Sequence, residues 1–264
     1  MKTAAAFILF ALPLCAFSQA DGARLPEFDV ASVKPINPQV RGGIDIKVLP
    51  GGRMVATAAS FQQLVAGAYG GLQTYQVVAP AGIADTRFDI DAMPPENDFG
   101  QQPAVTALGR QVPLKTMLRL QALLIARFNL QTHFEMRDRN VYDLVTAKNG
   151  PNLKEINLTD ATGECRGGYR VGRIDARTCS MPWLASLLAR FIFETEVNDK
   201  TGLTGAYDFK LEFAPMGPLA PANGDPSDAP SLFSAIQGVG LKLEARKAPM
   251  KFLIVDHVEK LKEN

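Results

Sequence analysis

Two histidines, His133 and His257, are the side chains here best suited to acid–base or metal chemistry. The run Asp256-His257-Val258-Glu259 sets His257 and Glu259 two residues apart, the spacing that puts both on one face of a strand. A metal site needs further donors converging on such a pair. The sequence brings none close, so both histidines are expected as solvated side chains near strand ends. Asp89 and Asp91 repeat the spacing on another strand, where they would serve a cation, acid–base work or simply solubility. No Gly-x-Ser-x-Gly elbow occurs, and Ser60 and Ser180 are explained as helix caps. Gly51-Gly52 and Gly167-Gly168 read as turns, since no Gly-Lys-Ser/Thr follows to cradle a phosphate. The single Trp183 is expected to pack in the core or at its boundary, with a partner anchor as the alternative. Arg137, Arg139 and Lys148, with Arg246 and Lys247 further on, form mild basic clusters that would steer an acidic partner or merely be solvated. On this reading no catalytic residue, metal ligand or cofactor site is assigned.

The elements that would position these groups come in two copies. Gly52-Arg53-Met54-Val55-Ala56-Thr57-Ala58-Ala59-Ser60 is echoed by Gly172-Arg173-Ile174-Asp175-Ala176-Arg177-Thr178-Cys179-Ser180. Gly82-Ile83 and Arg87-Phe88-Asp89-Ile90-Asp91 are echoed by Gly202-Leu203 and Ala206-Tyr207-Asp208-Phe209-Lys210. The offset stays at about 120 residues, the mark of an internal repeat. The expected fold class is α+β: two tandem repeated modules, each β-α-β-β-α-β-β, with helices on one face of small mixed or antiparallel sheets.

Within the first module, Phe28 to Pro35 predicts a strand, and Ile44 to Val48 with Arg53 to Thr57 a hairpin across Pro50-Gly51-Gly52. Ser60 caps a helix with Gln63 completing a capping box, and Phe61, Leu64, Val65 and Ala68 share one face. Gln73 to Val78 and Arg87 to Ala92 predict strands, and Leu114 to Phe128 a second helix. In the second module Ser180 caps a helix with Pro182 in its first turn, and Leu184, Leu187, Leu188 and Phe191 form the stripe. Glu194 to Val197 and Ala206 to Phe213 are its strands; Tyr207, Phe209, Leu211 and Phe213 alternate with polar residues. Each module is expected to close in a hairpin: Asn129 to Glu135 with Val141 to Thr146, and Leu241 to Ala245 with Phe252 to Val258. Proline-rich loops over 93–113 and 214–230 are read as functional or disordered insertions.

Lys2, the apolar stretch Ala4 to Phe17 and the small residues Ser18-Gln19-Ala20 predict a signal peptide over 1–20, cleaved between Ala20 and Asp21. The modules would then occupy 21–150 and 151–264, divided at Gly150-Pro151. Without Lys2 the basic side chains equal the 27 acidic ones. That balance gives no electrostatic reason to bind nucleic acid or an anionic membrane. No further apolar run is long enough to span a bilayer. Of the three cysteines, Cys15 leaves with the signal, and the exported pair Cys165 and Cys179 predicts a disulfide.

Several runs carry a family resemblance. They are Phe28 to Pro35, Arg127-Phe128-Asn129-Leu130-Gln131, Val141-Tyr142-Asp143-Leu144-Val145, and above all Asp199-Lys200-Thr201-Gly202-Leu203-Thr204-Gly205-Ala206-Tyr207-Asp208-Phe209. Leu241 to Pro249 and Val255 to Lys260 follow. Together they resemble the large acidobacterial paralogous family of exported proteins of unknown function (a Solibacter-type domain of unknown function). The resemblance implies a periplasmic or extracellular location and, as partner, a BlaR-type membrane metallopeptidase system. Each module is also similar to the short N-terminal domain of secretins and TonB-dependent receptors, a periplasmic docking piece. No receptor barrel or secretin ring segment accompanies it, so transport is not implied.

The function expected from all this is non-catalytic recognition of an envelope protein or peptide, through sheet edges and the groove between modules. A small molecule or cell-wall fragment held between the modules is the alternative. A divergent hydrolase would require His133 or His257 to meet a carboxylate or hydroxyl in space.

Overall fold

The computed structural model of the protein describes residues 24–36, 45–70, 72–96, 104–107, 110–156, 165–216 and 229–261. The expected signal peptide, with Ala20 and Asp21, and the middle of each proline-rich loop lie outside the described residues. The chain begins with β1 (Val30–Pro35), β2 (Asp45–Val48), β3 (Met54–Ser60) and α1 (Phe61–Ala68). A 3-10 turn (Thr74–Gln76), β4 (Val77–Val78), α2 (Ala81–Ala84) and β5 (Arg87–Met93) follow. Then come β6 (Ala104–Ala107), β7 (Arg110–Pro113), α3 (Leu114–Phe128) and β8 (Gln131–Thr146). The second half holds β9 (Lys154–Ile156), β10 (Arg166–Arg170), β11 (Arg173–Cys179), α4 (Met181–Leu188) and a π-helical turn (Ala189–Phe193). It ends with β12 (Val197–Asp199), β13 (Ala206–Glu212), α5 (Leu232–Gly238) and β14 (Leu241–His257). The class is mixed α+β.

Each half contributes one four-stranded sheet, ordered β1-β5-β3-β2 and β9-β13-β11-β10. A bulge interrupts the central pair of both sheets, between Ala56 and Ala59 and between Ala176 and Cys179. It puts Ala58 and Thr178 at positive φ, 50° and 56°. The freed backbone N–H groups are satisfied by carboxylates from the neighbouring strand: Ala58 donates to Asp89 Oδ1 at 2.9 Å and Thr178 to Asp208 Oδ1 at 2.8 Å. Just beyond, Ser60 and Ser180 cap α1 and α4. Gln63 completes the capping box in the first helix. One side of each helix packs on its sheet. Phe61, Leu64 and Val65 enter one core, and Met181, Leu184 and Leu188 the other. Phe128 of α3 stands edge-on between Phe61 and Phe88, with ring centroids 5.3 and 5.2 Å away.

The expected closing hairpins do not form. β8 runs straight from Gln131 to Thr146, β14 from Leu241 to His257, and the two pair antiparallel along their whole length. The reason is local. Neither Met136-Arg137-Asp138-Arg139-Asn140 nor Arg246-Lys247-Ala248-Pro249-Met250 contains the Asn-Gly or Gly-x pair that a tight hairpin turn requires. Staying extended keeps the ladder, apart from one irregularity between Val255 and His257. Each half's closing hairpin is thereby exchanged for strands of the other half. Leu253 and Val255 of β14 complete the first core, while Leu144 of β8 completes the second. The short strands β4 and β12 flank this ribbon in parallel, Val77 beside Leu253 and Val197 beside Tyr142. Pro249 faces Asp138 at mid-ribbon, where no third strand pairs on either side and a missing N–H costs little.

Smaller corrections have similar causes. Most of Gln73–Val78 is a 3-10 turn instead of a strand, because Gln76 turns inward to donate to Lys251 O. β12 begins at Val197, since Glu194 takes a left-handed conformation that ends the preceding turn. The loop at 93–113 contains the β6–β7 hairpin. The ends of the 214–230 loop are tied by Ala214 N–H donating to Pro230 O. Gly240 lies at φ 77°, with the backbone of Gly150, Pro151 and Asn152 where a side chain would stand. Only glycine admits that approach. The predicted pair Cys165 and Cys179 is joined across the open end of the β10–β11 hairpin.

Candidate functional site

Sheet edges and grooves are the surfaces the sequence singles out, and β1 is one of the edge strands. Ile36 N–H donates to Arg87 O, which makes Ile36 and Arg87 a hydrogen-bonded pair. In an antiparallel ladder such pairs alternate. Ser32 and Lys34 therefore spend their backbone groups on β5, and Ala31, Val33 and Pro35 turn theirs outward. Arg127 Nη2 of α3 donates to Ala31 O at 3.2 Å. Among the described residues the Val33 N–H and C=O have no partner.

This open edge forms one wall of a groove of about 920 Å³. The opposite wall is the segment leaving β14, from Asp256 to Leu261. Ile83, Phe88 and Val258 give the lining apolar side chains, and Lys34, Asp256 and Lys260 give it charges of both signs. The far wall is pinned to α3. Asn129, the left-handed cap of α3, donates from Nδ2 to Glu259 Oε1, and Glu259 N–H donates to Phe128 O at 2.7 Å. Beneath the start of β1 lies Arg119, 2 % exposed, whose Nε donates to Glu27 O at 3.2 Å. Burial pushes its pKa down.

Both histidines stand at this end of the molecule, and both meet carboxylates. His133 Nδ1 lies 2.8 Å from Asp256 Oδ1, and His257 Nε2 lies 3.2 Å from Glu259 Oε1. The ring and acid in each pair are about half exposed. No hydroxyl or thiol among the described residues hydrogen-bonds either ring. Among the described residues no three His, Cys, Asp or Glu side chains gather to hold a metal ion.

The other candidates are occupied with structure. Asp89 holds the bulge, and Asp91 pairs with Arg53, whose guanidinium keeps that carboxyl below the ordinary range. Arg137 pairs with Glu135 and Arg246 with Asp143. Arg137 and Arg139 both lie against the ring of Phe252. Trp183 is half-buried and stacks its ring where a side chain at position 167 would stand, so Gly167 is required there.

Sequence reasoning missed Arg119, the bulge role of Asp89 and Asp208, and Tyr75. The second of these had a signal, since both aspartates sit at matched places in the repeated segment. Tyr75 lies in a second cavity, between the halves, and its phenol is pushed up to about 12, first by burial and then by the charge of Glu196. Among the described residues no helix is long and apolar enough to cross a membrane.

No curated protein and no solved structure matches this chain. Residues 62–258, from α1 to the end of β14, match the family described as Protein of unknown function (DUF3738); the chain belongs to that family.

Proposed function

We propose that this protein is an exported, non-catalytic recognition protein of the cell envelope, built from a duplicated α+β module, that takes an extended peptide along β1. One observation carries the reading. The Val33 backbone, without a partner among the described residues, lines a groove of about 920 Å³ that also holds apolar and charged side chains. Strand addition uses such groups for affinity and alternate side-chain pockets for choice. The peptide would pair with Val33, set one side chain in two toward Phe88 and Val258, and end near Pro35, which has no N–H to offer. The partner class implied by the family resemblance is an exported segment of a BlaR-type membrane metallopeptidase system. The histidine–carboxylate pairs then serve as rim charges and perform no turnover.

The test is proline at position 33. Val33→Pro removes an N–H that β5 does not use, so the sheet keeps its ladder. Peptides selected from a random display library on the native protein should lose about tenfold or more in affinity for Val33→Pro, as a lost main-chain bond and its register imply. Selection of no peptide, or of peptides indifferent to the substitution in a variant that melts normally, would sink the proposal.

A further inference from the structure

The second cavity, about 650 Å³, opens between the two halves on the side of the ribbon where Phe252 and Met250 are buried. The first half brings Gln62, Thr74 and Tyr75 to it, and the second half Glu194 and Thr195. Arg139, Asn140 and Tyr142 come from the ribbon itself.

Several charged side chains of the strands are paired: Arg53 with Asp91, Arg173 with Asp175, Arg246 with Asp143, Lys242 with Glu244. Here, among the described residues, six groups make no hydrogen bond or ion pair. They are the hydroxyls of Thr74, Tyr75 and Tyr142, the amide of Asn140, the guanidinium of Arg139 and the carboxylate of Glu194. Meanwhile the frame around them is fixed. Thr195 Oγ1 donates to Asn140 O at 2.8 Å, Gln62 Nε2 donates to Val77 O at 2.7 Å, and the Tyr142 ring lies 4.3 Å from that of Phe193. Thr74, Tyr75 and Tyr142 are half-buried and Arg139, Asn140 and Glu194 exposed, so all six can turn to a ligand in the cleft.

We propose that this cleft binds a saccharide of one or two rings. The donor set selects that class. An anion would find one guanidinium with a carboxylate in the same lining, and a cation the reverse. A purely apolar ligand would leave every one of these groups unpaired. A sugar hydroxyl both donates and accepts, so it can use phenols, an amide, a guanidinium and a carboxylate together. The C–H face of a pyranose suits an aromatic wall such as Tyr75 and Tyr142. The volume lies in the range of small-ligand sites.

Saturation-transfer NMR on the intact purified protein tests the proposal. The probes are glucose, cellobiose, maltose, N-acetylglucosamine and its β1,4-linked dimer, with inorganic phosphate, citrate and glycine as competitors. At least one saccharide should bind saturably with Kd near or below about 1 mM. Tyr142→Ala and Arg139→Ala should each weaken it about tenfold or more, and the milder Thr74→Ala and Tyr75→Phe severalfold while leaving the melting temperature near that of the parent. Absence of transfer to all five sugars, displacement by phosphate or citrate, or binding that Thr74→Ala and Tyr75→Phe leave untouched would each overturn it.

Discussion

The sheets of the two halves share strand order, bulge position and helix cap, yet they are secured by different means. In the first, β1 is six residues long, and α3 of fifteen residues lies behind it with Arg119 reaching to Glu27. In the second, the edge strand β9 has three residues and α5 seven, and a disulfide ties the hairpin at the opposite edge. What recurs solves a backbone problem: a positive-φ residue needs an acceptor, and a helix start needs a cap. What differs is how each sheet is fastened at its margins. The half without the covalent tie has the longer edge strand, and that edge borders the groove proposed for peptide recognition.

Separating the halves is the harshest way to test this comparison. Cleavage between Gly150 and Pro151 should leave two fragments without cooperative melting, because each core lacks strand residues from the other. Mixing them should restore the transition by circular dichroism. A first fragment that melts cooperatively alone would show that the exchange of β8 and β14 is dispensable.

Removing the disulfide with Cys165→Ser and Cys179→Ser acts on the second half alone. The 14-residue separation implies a loss of about 3 kcal/mol. Urea unfolding followed by the fluorescence of Trp183, which lies in that half, measures it. The two bulges come next. Asp89→Ala and Asp208→Ala should each cost about 1–3 kcal/mol by stranding a backbone N–H. Clearly unequal values would break the equivalence of the two bulges.

Cap removal is a finer probe. Ser60→Ala should cost about 1 kcal/mol. Ser180→Ala should cost less, because its bond to Trp183 N–H is long at 3.4 Å and no capping box backs it. The smallest effect is acid sensitivity. Hydrogen bonds from Arg53 and Arg173 hold the carboxyls of Asp91 and Asp175 below their ordinary pKa. Depressed pKa values make each pair favourable above the unfolded carboxylate value of about 3.9, with the contribution lost as pH falls through the folded one. Both pairs are exposed, so Arg53→Met and Arg173→Met should narrow the difference in melting temperature between pH 6 and pH 3 only slightly.

Much of the fold was legible because it is written in short range. The Ser60 and Ser180 caps, the β2–β3 hairpin, the alternation from Tyr207 to Phe213 and the cysteine pair all depend on residues close in sequence. The Val33 edge and the Tyr75 cleft were not legible, since each is assembled from distant segments. The two-residue spacing of His257 and Glu259 was visible in the sequence, whereas nothing near His133 in the chain announces Asp256.

Local chemistry by itself determined that this chain would build α+β layers from similar segments, with capped helices and polar groups largely spent on backbone needs. Only the tertiary structure decided how those segments close. A strand's periodicity says which face is buried but not which strand lies beside it. With no turn residues at mid-strand, β8 and β14 gain more ladder by pairing with each other than by folding back, and that pairing creates the cleft between the halves.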